Sequence, residues 1–132
     1  MTAKHTPSAY FVFEQKSPEG EVKFFVFELS DVIKIEEARR ILAEKSANDS
    51  VQGNIIQSRT WYNPEWSFHL DPSSIAFFEK QIEVCDANVT YVEKHLDEVG
   101  GSFLPKSVWC PWSSRLSAEI TDKIKPGTVR PV

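Results

Sequence analysis

Few residues of this 132-residue chain are of a type that could carry a reaction. Two cysteines, Cys85 and Cys110, stand 25 positions apart. In an oxidising compartment they would bridge, and closing a loop of that size stabilises a fold by about 3 to 4 kcal/mol in the chain-entropy model. In a reducing compartment they would be two buried thiols, and the residues leave both readings open. A catalytic thiol needs an adjacent base and an electropositive setting. Cys85 instead lies beside Asp86, and Cys110 is flanked by the uncharged Trp109 and Pro111.

His69 and Asp71 place two potential metal ligands on one face of an extended segment, and His95 lies among Glu93, Asp97 and Glu98. None of the spacings HExxH, CxxC or EF-hand occurs in the sequence, and neither do GxGxxG, GxxxxGK[ST] or GxSxG. No metal site and no cofactor are therefore expected, and nucleotide binding and α/β-hydrolase chemistry are disfavoured. If the chain were a small hydrolase or a metal-dependent enzyme, His69 and Asp71, with His95 or Cys110, would be the groups to use.

The aromatic residues offer a different chemistry. All four tryptophans fall between Trp61 and Trp112. Trp61 and Tyr62 open a loop containing Pro64, and Trp109 and Trp112 flank Cys110 and Pro111. Loops of this kind can form a stacking floor for a sugar ring or a Pro-rich peptide, because aromatic side chains bring large contact area with little entropy to lose. The alternative is that these rings close the open end of a small sheet. Trp66, in phase with Phe68 and Leu70, reads as core. The candidate ligand-binding residues are thus Trp61, Tyr62, Trp109, Trp112, His69 and Asp71, with a protein or a carbohydrate as the expected partner. A third arrangement is a protease inhibitor that presents the Pro-rich stretch 103–112, braced by a Cys85–Cys110 bridge.

Composition narrows the partners further. Fifteen Lys and Arg against 19 Asp and Glu give a formal charge of −4. That balance argues against non-specific binding to nucleic acid or to an anionic membrane surface. No run approaches the ~18 to 20 apolar residues of a membrane helix. The opening MTAKHTPSA lacks the apolar stretch of a secretory signal, so the sequence reads as soluble with its compartment open. Asn48-Asp49-Ser50 and Asn88-Val89-Thr90 match the glycosylation sequon, a pattern too short to establish secretion.

The elements that must position these residues follow from hydrophobic period and punctuation. Residues 10–15 and 22–29 are rich in aromatic and β-branched types and flank the turn former Ser17-Pro18-Glu19-Gly20, which predicts a β-hairpin. Its second strand is apolar on both faces, so it is expected inside a sheet covered on each side. Ser30 or Asp31 caps a helix to about Glu44 with Val32, Ile35, Ala38, Ile41 and Leu42 inward. Residues 51–58 read as a strand in which Gly53 marks a bulge or a close backbone approach. A period-two strand is expected at 66–70, another at 75–84, and a helix over 87–99 capped by Asp86 and ended by Gly100-Gly101. Residues 102–112 read as an ordered loop and 113–120 as a short helical turn. The predicted fold is α+β, a mostly antiparallel sheet of four to five strands packed against two helices. A flexible arm at 1–9 precedes one domain at 10–120, and a polar tail at 121–132 follows it.

The blocks Trp66-Ser67-Phe68-His69-Leu70-Asp71-Pro72, Glu83-Val84-Cys85-Asp86 and Trp109-Cys110-Pro111-Trp112 together resemble the small N-terminal domain of a calmodulin-binding protein family. The resemblance spans roughly Tyr10 to Ile120 and implies a compact α/β domain that can occur alone. It transfers no catalytic residues. Calmodulin binding is not supported by helix charge, since calmodulin targets are basic amphipathic helices and neither predicted helix is strongly basic.

Overall fold

The computed structural model describes residues 8–16, 20–45, 49–78, 85–111 and 113–123, and these form an α+β fold. β1 (Ala9–Lys16) and β2 (Val22–Leu29) pair antiparallel as a hairpin, in register from Ala9 opposite Leu29 to Lys16 opposite Val22. One face of the hairpin carries Phe11, Phe13, Phe25, Phe27 and Leu29, all fully buried. β9 (Ser114–Glu119) pairs with the other side of β1, giving the order β2-β1-β9. Two expectations change here. β2 lies at the edge of its sheet with one face open, not inside a covered sheet. Residues 114–119 are a strand and not a helical turn. Leu116 and Ile120, four apart, fit a helix locally, but the unpaired side of β1 takes the segment as its partner and sets Ser114 and Leu116 inward. The register slips between Val12 and Phe13, leaving Ser117 unpaired as a bulge whose hydroxyl donates to the Val12 carbonyl (3.2 Å).

α1 (Val32–Glu44) starts at Asp31, whose carboxylate accepts the Ile33 N–H (2.9 Å). It buries Ile35, Ala38 and Ile41, and Arg39 grips the Glu119 carboxylate of β9 with two bonds of 2.9 and 2.8 Å. It ends at Lys45 in the left-handed conformation.

β3 (Ser50–Ile56) organises a second sheet. It pairs antiparallel with β4 (His69–Leu70), β5 (Ala76–Phe78) and β8 (Val108–Trp109). Gly53 is the close approach anticipated: a Cβ there would stand 3.0 Å from Ile75 Cδ1. The two sheets join where the Leu116 N–H donates to the Asp49 carbonyl (2.8 Å) and the Val51 N–H to Ser114 Oγ (2.9 Å). Their facing sides, with α1, enclose a single apolar core.

The stretch 66–70 keeps its period-two burial, with Trp66, Phe68 and Leu70 inward, although only His69–Leu70 forms a ladder. Of the strand expected at 75–84, Ala76–Phe78 is a strand and 79–84 lies outside the described residues. The helix expected over 87–99 is shorter. α2 (Val89–Lys94) is capped by Asn88, whose side chain accepts the Tyr91 N–H (2.8 Å), and a 3-10 turn follows at Leu96–Glu98. The reason is tertiary. The Ala87 carbonyl is taken by the Trp109 indole N–H (2.9 Å) and the Val89 N–H by the buried Gln15 amide oxygen (2.7 Å), so the chain is held out of helix until Asn88. β6 (Val99–Gly100) and β7 (Phe103–Pro105) then form a short parallel pair, so the expected loop at 102–112 contains two short strands, β7 and β8.

Candidate functional site

The segment from Gln57 to Phe68 runs along the edge of β2 and closes it with side chains. Asn63 Oδ1 accepts the Val26 N–H (2.9 Å), and the Trp66 indole N–H donates to the Phe24 carbonyl (2.9 Å). Two backbone groups that an edge strand would leave for another chain are thereby occupied. Asn63 also donates to the Phe68 carbonyl (3.2 Å), and Glu93 of α2 accepts from both the backbone and the hydroxyl of Ser67 (2.9 and 2.6 Å). The segment is thus pinned on both β2 and α2.

Trp61 and Tyr62 pack on Tyr10 of β1, with ring centroids 5.4 and 5.3 Å away. Trp61 stays half-buried, but Tyr62 is buried. Burial, then the nearby Glu28 carboxylate, pushes the Tyr62 hydroxyl well above its ordinary value. Trp109 departs furthest from the expected ligand surface. It has no exposed area, it packs on Phe13, Phe25 and Phe68, and it spends its N–H on Ala87. It anchors the core because β8 pairs with Gly53 in the middle of the second sheet. Trp112 lies outside the described residues. Trp61 and Trp109 therefore belong to separate clusters.

The polar candidates do not converge either. His69 Nδ1 donates to the Ser58 carbonyl (2.7 Å), which holds the ring against the loop before β4. Asp71 caps the turn Pro72–Ser74 through the Ser73 N–H (3.0 Å) and hydroxyl (2.9 Å). His95 stacks on Tyr91 at 3.9 Å, beside Phe103. Cys85 and Cys110 stand at disulfide distance, their Cα atoms 5.1 Å apart, both buried. Among the described residues no hydrogen bond joins His69, Asp71, His95 and Cys110, and no cluster of three or more metal-ligating side chains occurs. The described part of the expected inhibitor loop, 103–111, is not built like a substrate mimic. Such a loop needs extended backbone, whereas Leu104, Lys106 and Ser107 have positive φ and Leu104 is buried.

The open face of the β1–β2 sheet is a candidate surface that the sequence did not single out. Alternation places Val22, Phe24, Val26, Tyr10 and Val12 opposite the buried set, together with Glu14, Lys16 and Glu28. Phe24 is 52% exposed and Val22 42% exposed. Val26, Val12 and Ala118 stand side by side across three strands, and the next row is Phe24, Glu14 and Arg115. An apolar centre bordered by an acid and a base has the make-up of an interaction patch. Its signal in the sequence was β2 being apolar on both faces.

A family model described as the BP-74 N-terminal domain matches residues 7–123. The chain belongs to that family. The match covers both sheets, both helices and the open face, so the patch lies within the family domain and not on an appended segment. No curated protein and no solved structure matches the chain.

Proposed function

We propose that this domain is a non-enzymatic interaction module that docks an apolar protein surface on the open face of β1 and β2. The observation that carries the reading is Phe24, half exposed on an edge strand whose other face is buried. A solvated antiparallel face ordinarily alternates to polar residues. Here Val22, Phe24, Val26 and Val12 make an apolar strip among Glu14, Lys16 and Glu28, at a cost in solubility that a partner would offset. A protein fits better than a sugar. The central row is aliphatic and offers no hydrogen-bonding side chains, and the ring of Trp61 is engaged edge-on by Tyr10 and Tyr62.

Selection of a displayed peptide library on the wild-type domain, followed by affinity measurement on variants, tests the reading. Phe24→Ser is expected to weaken the enriched peptides by about tenfold or more, with Ile33→Ser on the exposed start of α1 as a neutral control. Peptides that bind both variants like wild type would contradict the reading. So would a glycan that binds through Trp61.

A further inference from the structure

We propose that the cavity between the end of α1 and β9 is a second site, which takes a small apolar α-amino acid as its zwitterion. The cavity holds about 300 Å³. That volume suits one side chain of leucine size with its backbone groups, and is at the small end of ligand pockets. Its floor is apolar, made by the buried Ile41 and Leu116 with the half-buried Leu42. Its walls carry both signs of charge, Lys45 and Arg115 against Glu14 and Asp49. A simple anion meets two carboxylates there and a simple cation meets two bases. A molecule with both charges at one end and a hydrocarbon at the other satisfies the whole lining.

The fold holds these groups apart and available. Glu14 and Arg115 are direct cross-strand neighbours, yet Arg115 leans through Nε toward Asp49 at 3.7 Å. That contact is too long for a hydrogen bond, so the guanidinium keeps its donors for another carboxylate. Glu14 and Lys45 make no ion pair among the described residues. Lys45 sits where α1 turns back on itself, φ 52° and ψ 49°, beside the last helical carbonyls, whose dipole favours an ammonium group. The ligand carboxylate would lie between Arg115 and Lys45, its ammonium toward Glu14, and its side chain on Leu42 and Leu116.

Amide NMR titration of the full chain tests this with L-leucine, 4-methylpentanoate, 3-methylbutylamine and glycine. Leucine is expected to give saturable shifts around Leu42, Lys45, Asp49 and Arg115, and each part-molecule to bind at least about tenfold more weakly. Arg115→Gln and Glu14→Gln should each weaken leucine by about tenfold or more with an unchanged thermal midpoint. Lys45→Met, at an exposed position, replaces either variant that loses stability. Shifts that stay linear in leucine, that a part-molecule reproduces at equal affinity, or that survive the charge variants would overturn the proposal.

Discussion

Asn63 does at one residue what a whole strand would otherwise do. It is buried, accepts from Val26 and donates to Phe68. Asn63→Ala strands both backbone partners and is expected to cost about 1 to 3 kcal/mol in chemical denaturation. Gly53→Ala is expected to cost about 1 kcal/mol, because the methyl would meet Ile75 Cδ1 at 3.0 Å, Ser74 Oγ at 3.3 Å and Leu70 Cδ1 at 3.4 Å, and all three must give way. Two ionisable groups predict how stability moves with pH. The Arg39 hydrogen bonds hold the Glu119 carboxyl below its ordinary value of 4.5. Its contribution is therefore present above about pH 4.5 and is lost as pH falls below it, and Arg39→Gln should flatten that acid limb. The effect is small, since both partners are partly solvated. Tyr62 is raised above its ordinary value of 10.0, by burial first and by Glu28 second. Its contribution is complete below about pH 10 and is lost as pH rises beyond it. Thermal melts of Tyr62→Phe should accordingly show a shallower alkaline decline than wild type.

Elements explain what could and could not be read from the sequence. The hairpin and α1 were legible because each carries its own signals: aromatic and β-branched runs around Ser17-Pro18-Glu19-Gly20, and an Asp31 cap ahead of Ile35, Ala38 and Ile41. β9 and the start of α2 were not, because distant partners decide them. Ser114–Glu119 becomes strand only because β1 offers an open side. α2 starts late because Gln15 and Trp109, far away in sequence, capture Val89 and Ala87. If so, Gln15→Met, which keeps the volume and removes the acceptor, should destabilise by about 1 to 3 kcal/mol and speed amide exchange at Val89. The candidate site was half legible for the same reason. A β2 rich in Phe and Val on both faces pointed to two apolar surroundings, and the structure supplies one, leaving Phe24 and Val22 in solvent. Trp109 was misplaced because a tryptophan beside Cys-Pro looks like a loop residue until its pairing with Gly53 is known.

At the scale of the molecule, Cys85 and Cys110 bring the approach to α2 beside the end of β8, and the Cys110 N–H donates to the Cys85 carbonyl (2.8 Å) next to them. If the bridge forms, Cys85→Ala with Cys110→Ala should lower stability by about 3 to 4 kcal/mol, the loop-closure value for a separation of 25 residues. Intact mass with and without reductant, differing by two hydrogens, is the direct check. The proposed recognition face is that of β1 and β2, where Phe24 and Val22 are exposed. Phe24→Ser should lower stability by about 1 to 2 kcal/mol without unfolding the domain, since the ring is half exposed and outside the core. The most direct measurement is methyl chemical-shift mapping of the wild-type domain with its enriched peptide. The methyls of Val12, Val22 and Val26 are expected to shift and saturate together. Shifts confined to the surroundings of Trp61 or of α1, with those three valines unmoved, would contradict it.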